Sequence, residues 1–332
     1  HILATDGMDP SAYVKEVQCH EDAVWKSAAP DTYLLEYNPL GESPFWHPTH
    51  AMLYWVDIPA CKVCRCAPGS PVEVWPVRQE CGCIAPQEGG GLVLGMRDGV
   101  YTAREWGGDL ALVAPFPGDT SRVRCNDGKA DPAGRFWAGT YCEVKDVPCA
   151  ALYSLGVGES SLKVHHSGFF TSNGLAWSPD GNTVYWADTS NHRVVAWDWD
   201  SETNTLGTQR VLRQFEGKPQ WWVPGMPGYG GRPDGAVVDT DGHYWVAMYE
   251  GGCVLKLCPI TGQTLETHSV PALCPTMPCL GPADADGHST LYVTTVSKGR
   301  SQDERLVLPL SGCVLAKQVK ARGLPVNFCS GL

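Results

Sequence analysis

The chain has 332 residues, 43% of them hydrophobic and only 18% charged, which is enough apolar material for a core and excludes disorder as a global description. Its 37 Gly, 26 Pro and 13 Trp favour short strands and tight turns over long helices, so an all-β protein is expected. A formal charge of −11 argues against nucleic acid and anionic membrane as partners, and no run of eighteen apolar residues offers a membrane span, so the chain reads as soluble.

In chain order, residues 1–30 carry no repeat phase and read as an N-terminal extension, and residues 31–332 read as one domain. TYLLEY at 32–37 is the candidate strand for closing the fold against strands near 305–318. Beyond it one pattern recurs, a D-x-x-G or related turn followed by an aromatic-rich apolar strand. The copies are HPTHAMLYWVDI (47–58), DPAGRFWAGT (131–140), SPDGNTVYWADT (178–189), DTDGHYWVAMY (239–249) and DADGHSTLYVTTV (284–296), with a weaker one in QEGGGLVLGM (87–96). Setting Val56, Leu94, Ala138, Ala187, Val246 and Val293 in register gives steps of 38, 44, 49, 59 and 47 residues, a period that suits a four-stranded unit. KVCRCA, VEVWPV, VVAWDWD and GCVLKLC supply further strands between turns. Six such units predict a six-bladed β-propeller with four-stranded blades around a central channel.

The 15 cysteines are odd in number, so full pairing within the monomer is excluded. Cys61, Cys64, Cys66, Cys81 and Cys83 are spaced as a zinc site could be, but a second C-x-x-C is absent there, and buried strand cysteines are the preferred reading. Cys142/Cys149 and Cys274/Cys279 could each close a short loop. The missing N-x-S/T sequon leans toward the cytoplasm, with a secreted or organellar location as the alternative.

At the start of the innermost strand of four units the chain reads LGES at Glu42, CNDG at Asn126, TSNG at Asn173 and RPDG at Asp234. Such strands line a propeller's channel, so these side chains converge at one mouth. Ordinary turn chemistry accounts for any one of the Asn/Asp-Gly triplets. It does not account for four at one phase, nor for a Glu. Glu42, Asn173 and Asp234 offer only hard oxygen donors and two negative charges, which suits one divalent ion, Ca2+ first, with Mn2+ or Mg2+ as alternatives and Zn2+ possible but not selected by such a set. No H-x-H, H-E-x-x-H or G-x-S-x-G arrangement competes.

LGESPFW (40–46), RCNDGKADPAGRFWAGT (124–140), SNGLAWSPDGNTVYWAD (172–188) and RPDGAVVDTDGHYWVA (232–247) together resemble the regucalcin, gluconolactonase and luciferin-regenerating-enzyme family, from about residue 31 to 320. The resemblance implies a six-bladed propeller with one axial divalent metal, ligands at Glu42, Asn173 and Asp234, and a substrate-holding pair at Arg124 and Asn126. It implies hydrolysis of a small sugar lactone, with the metal polarising the ring carbonyl, water attacking and Asp234 accepting the water's proton. A metal-dependent esterase or phosphotriesterase and a non-enzymatic interaction propeller are the alternatives, and a monomer or weak oligomer is expected.

Two departures bear on substrate choice. After GTYC, where the family often has a substrate-facing carboxylate, this chain has Glu143 followed by Val144 and Lys145. KPQWWVPGMPGYGGR (218–232) is inserted just before Asp234, and its Trp221, Trp222 and Tyr229 read either as a lid stacking on a sugar ring or as a cap on a neighbouring blade.

Overall fold

Val56, Leu94, Ala138, Ala187, Val246 and Val293 each lie on the second strand of a four-stranded antiparallel sheet in the computed structural model, which describes residues 26–27 and 38–332. The first blade is β2–β5 (Gly41–His47, Met52–Asp57, Lys62–Cys66, Glu73–Pro76) and the second β6–β9 (Cys81–Pro86, Leu92–Met96, Gly99–Ala103, Ala111–Pro115). The third is β10–β13 (Val123–Ala130, Phe136–Cys142, Ala150–Leu155, Lys163–Phe169) and the fourth β14–β17 (Ser172–Trp177, Thr183–Asp188, Arg193–Asp200, Thr205–Gln214). The fifth is β18–β21 (Arg232–Val238, Tyr244–Tyr249, Cys253–Leu257, Thr264–Ser269). The sixth joins β22–β24 (Pro275–Ala283, Ser289–Thr295, Leu315–Val319) to β1 (Lys26–Ser27). The first strands of successive blades pack against one another around the ring, so the expected six-bladed propeller is the fold.

In two of its copies the recurring turn is organised by a buried aspartate. Asp131 accepts from the Ala133 and Arg135 amides through Oδ1 (2.8 and 2.9 Å) and from the Trp137 indole through Oδ2 (2.8 Å). Asp239 does the same for Asp241, His243 and Trp245. One carboxylate therefore shapes the hairpin and satisfies a tryptophan that is otherwise enclosed. Trp55, Trp137, Trp186 and Trp245 are all buried, and a tryptophan cluster of Trp137, Trp177, Trp186, Trp197 and Trp199 fills the space between the third and fourth blades.

The ring closes through β1, where Lys26 pairs with Ala316 and Ser27 with Leu315. TYLLEY at 32–37 and most of the 1–30 extension lie outside the described residues. Residues 305–307, expected among the closing strands, belong instead to a short helix, Gln302–Val307, whose first turn is capped by Ser301 accepting from the Glu304 amide. Beyond β24 the chain straps the face away from the strand starts, bridging Gly323 to Asp239 and Cys329 to Gln87. No helix among the described residues is long and apolar enough to cross a membrane.

Cys64, Cys66, Cys81 and Cys83 are buried strand residues, and no group of metal-ligating side chains forms around them among the described residues. Of the two short pairs, Cys142 and Cys149 are disulfide-bonded, while Cys274 and Cys279 are free thiols.

Candidate active site

Each of the four innermost strands singled out in the sequence breaks register near its start. The breaks fall between Glu42 and Phe45, Cys125 and Gly128, Asn173 and Ala176, and Pro233 and Ala236. A bulge interrupts the ladder and re-aims the side chains beside it. Glu42 and Asn173 are the last paired residues before their breaks, and Asn126 and Asp234 the first unpaired ones. The glycine after Asn173 is required twice over: Gly174 has φ +60°, and a Cβ there would stand 2.3 Å from the Tyr244 hydroxyl.

The bulges open into a cavity of about 420 Å³ whose wall includes Glu42, Arg124, Asn126, Asn173 and Asp234. Glu42, Asn173 and Asp234 are only 7%, 3% and 6% exposed, so they form the floor, whereas Glu143 sits at the exposed rim. An ordered chain of bonds fixes the amides. Arg124 donates to Asn126 Oδ1 (2.8 Å), Asn126 Nδ2 donates to Asn173 Oδ1 (2.8 Å), Asn173 Nδ2 donates to Thr189 Oγ1 (2.8 Å), and Thr189 donates to the Pro233 carbonyl (2.7 Å). Arg124 also lies over the Tyr141 ring at 4.9 Å, which leaves the rest of its guanidinium fork toward the cavity.

Burial, reinforced by Asp234 and Asp127, pushes the Glu42 carboxyl well above its ordinary range, and burial with Asp127 does the same to Asp234. Asp127 lies deeper, raised by burial as well, with Oδ2 accepting from the Leu175 amide (3.0 Å) and a buried Oδ1 that has no partner. Glu42 and Asp234, two enclosed carboxylates on one wall, are a poor pair to ionise together unless a cation shares the space, whereas Asp127 is already offset by the buried Lys129. The donor set is all oxygen, so the residues fit a hard divalent ion held by Glu42, Asn173 and Asp234.

Glu143 is held at the rim by Arg97, which reaches it at 2.9 and 3.1 Å while also gripping Glu80. The Arg124 Nε is 3.9 Å from Glu143. Trp221 and Trp222 do not line the cavity. Trp222 is buried, donates to the Met226 carbonyl (2.8 Å) and meets Tyr229 edge-on, whereas Trp221 is 60% exposed.

Sequence reasoning passed over Thr189, Tyr141, Arg232, Tyr249 and Lys298, which also line the cavity. Four of them were within reach of the repeat: in an antiparallel hairpin the end of the second strand returns to the mouth where the first begins, so residues at or just past the YWAD-type copies belong to the site. Asp239, Asp241 and His243 also lie close enough together to hold an ion. Asp239 is already occupied by two amides, an indole and the His243 ring (3.1 Å), as Asp131 is by its own turn, so the repeat explains that cluster without a metal.

Comparison with known proteins matches this geometry to a family. Residues 40–297 match the model described as the SMP-30/Gluconolactonase/LRE-like region. The chain is 38% identical over 293 residues to a 6-deoxy-6-sulfogluconolactonase of Pseudomonas putida, covering 88% of this chain and 95% of that one. It is 35% identical over 297 residues to regucalcin of Danio rerio, covering 88% and 93%. A solved luciferin-regenerating enzyme has the same fold at a TM-score of 0.78 with 26% identity, covering 93% of this chain and 99% of that one.

Proposed function

The chain belongs to the SMP-30/gluconolactonase/LRE-like family, and from that membership we propose that it is a hydrolase that opens sugar lactones at the axial cavity, with one divalent ion held by Glu42, Asn173 and Asp234. The observation that carries the reading is the convergence of Glu42, Asn126, Asn173 and Asp234, from four blades, on one enclosed oxygen-rich floor. Ca2+ suits that donor set best, since flexible all-oxygen coordination is its preference. When bound, such an ion supplies Lewis acidity toward the lactone carbonyl and positive charge against the oxyanion that develops.

The protein's own residues supply the rest. Arg124, fixed by Asn126 and by the face of Tyr141, donates to the lactone's oxygens and orients the carbonyl. Water forms a bond from its oxygen to the carbonyl carbon, and Asp234 accepts the proton released. The bond from that carbon to the ring oxygen then breaks, and the ring oxygen leaves as a hydroxyl by taking a proton back. Glu143, pinned by Arg97, stands at the rim where sugar hydroxyls pass.

Acid release from gluconolactone, pentonolactones and an aryl ester, each with and without chelator, tests the proposal. Lactone opening that stops with chelator and returns with Ca2+ is expected. Turnover of the aryl ester alone moves the reading to an esterase, and no turnover at all leaves the metal-binding propeller.

A further inference from the structure

The cavity that holds the proposed site carries four cationic side chains, Arg124, Lys145, Arg232 and Lys298, and four carboxylates, Glu42, Glu80, Glu143 and Asp234. A divalent ion on the floor leaves that set with positive charge in excess, and Arg97 adds another by bridging Glu80 to Glu143. The carboxylates nearest the rim are therefore already answered. Glu250 beside the mouth is likewise taken, by Lys218 at 2.9 Å and Arg232 at 3.7 Å. Lys145 and Lys298 are both exposed at the rim. Lys145 leans on the Tyr141 ring (5.3 Å) and is presented by the short loop that the Cys142–Cys149 disulfide closes.

We propose, building on the lactone-hydrolase reading, that the substrate carries an anionic group, a sulfonate, phosphate or carboxylate, remote from its ring carbonyl, and that Lys145 and Lys298 bind it. A neutral sugar leaves the excess charge unmatched in a partly enclosed cavity, where it weighs more than in open water. The carboxylate made by the reaction does not meet that need, because it arises at the ring carbonyl, beside the floor and not at the rim. A similar protein carries the name of a sulfonated gluconolactone.

The test compares kcat/KM for gluconolactone with that for its 6-sulfo, 6-phospho and 6-carboxy counterparts at low ionic strength. At least a tenfold advantage for one anionic lactone is expected, and the favoured one identifies the group. In Lys145→Gln/Lys298→Gln the ratio of anionic to neutral falls at least fivefold, whereas Lys163→Gln/Lys320→Gln, equal in charge but outside the cavity wall, keeps it. Equal or lower kcat/KM for all three anionic lactones, or a ratio that survives the rim variant, overturns the inference. Opening of neutral lactones alone thus defeats this inference and leaves the hydrolase intact. If no lactone is opened, the hydrolase reading fails separately, and calorimetric titration with the ring-opened 6-phospho and neutral acids decides the rim. Tighter binding of the phospho acid, lost in the rim variant, supports it, and equal binding overturns it.

Discussion

Removing one negative charge from the axial floor has opposite effects on stability and on catalysis. Glu42 and Asp234 are raised above ordinary carboxylate values chiefly by burial and then by like charge, so ionising both without a cation beside them is unfavourable. Glu42→Gln is expected to raise the melting temperature of chelator-treated protein while lowering bound metal and cutting kcat/KM by about 10²–10³, the scale of losing a charge-stabilising group. The same shifts fix a pH dependence. The folded, metal-free chain holds these protons at pH values where the unfolded chain has released them. Their stabilising contribution is therefore complete below the ordinary carboxylate range and is lost as pH rises through the raised values. Melting of chelated protein should fall as pH rises above the ordinary carboxylate range, and added Ca2+ should reverse the loss more strongly at the higher pH. Arg124→Ala should keep its metal and lose roughly ten- to a hundredfold in kcat/KM, as expected for one charge-assisted hydrogen bond to substrate. At this scale Glu42 was legible because no turn requires a Glu at that phase. The repeat placed Thr189 at the mouth, but not its role of holding Asn173 through one hydroxyl, because a threonine after a strand carries no such mark.

Among the elements, the 218–232 insertion divides its two tryptophans between inside and outside. Trp222 is enclosed with Tyr229 and under Lys218 (4.8 Å), so Trp222→Ala should cost ~3 kcal/mol of stability in a denaturant titration. Trp221 is exposed and outside the cavity wall, so Trp221→Ala should leave both the melting temperature and KM for the lactone nearly unchanged. A KM raised severalfold with stability kept would instead bring the loop over the mouth. The sequence displayed the aromatic run but not this division, since adjacent positions in an irregular loop have no periodicity to tell inside from outside. The loop closed by Cys142–Cys149 has its own asymmetry. Its short closure is worth roughly 2–3 kcal/mol in a chain-entropy account. Reductant should therefore lower the melting temperature modestly and keep one cooperative transition, while disturbing the mouth, where the loop carries Glu143 and Lys145.

At the scale of the whole molecule the ring closes, among the described residues, on the pairing of Lys26 and Ser27 with β24. Blade count and phase were readable because every second strand repeats a turn and an aromatic run. The part played by Lys26 and Ser27 was not, because two paired residues leave no pattern in sequence. Deleting residues 1–27 uncovers the edge of β24, and the truncated protein should melt lower and self-associate on size exclusion, with the full chain as control. The bulges carry a different consequence. All six inner strands break register in the same stretch, including Cys81/Cys83 and Pro275/Met277, yet only four of them present donors to the cavity. The backbone thus repeats one socket at six stations, like those of a dial, and what differs from station to station is the side chain set there. Descendants of such a chain can trade one chemistry for another by exchanging single residues at the sockets, with no need to invent a new scaffold. Two stations here are closed to that trade. At Gly82 a side chain would collide with the Cys125 carbonyl, and at Thr276 the hydroxyl is already spent on the Gly41 carbonyl, so new reactivity in this lineage has to enter through the other four.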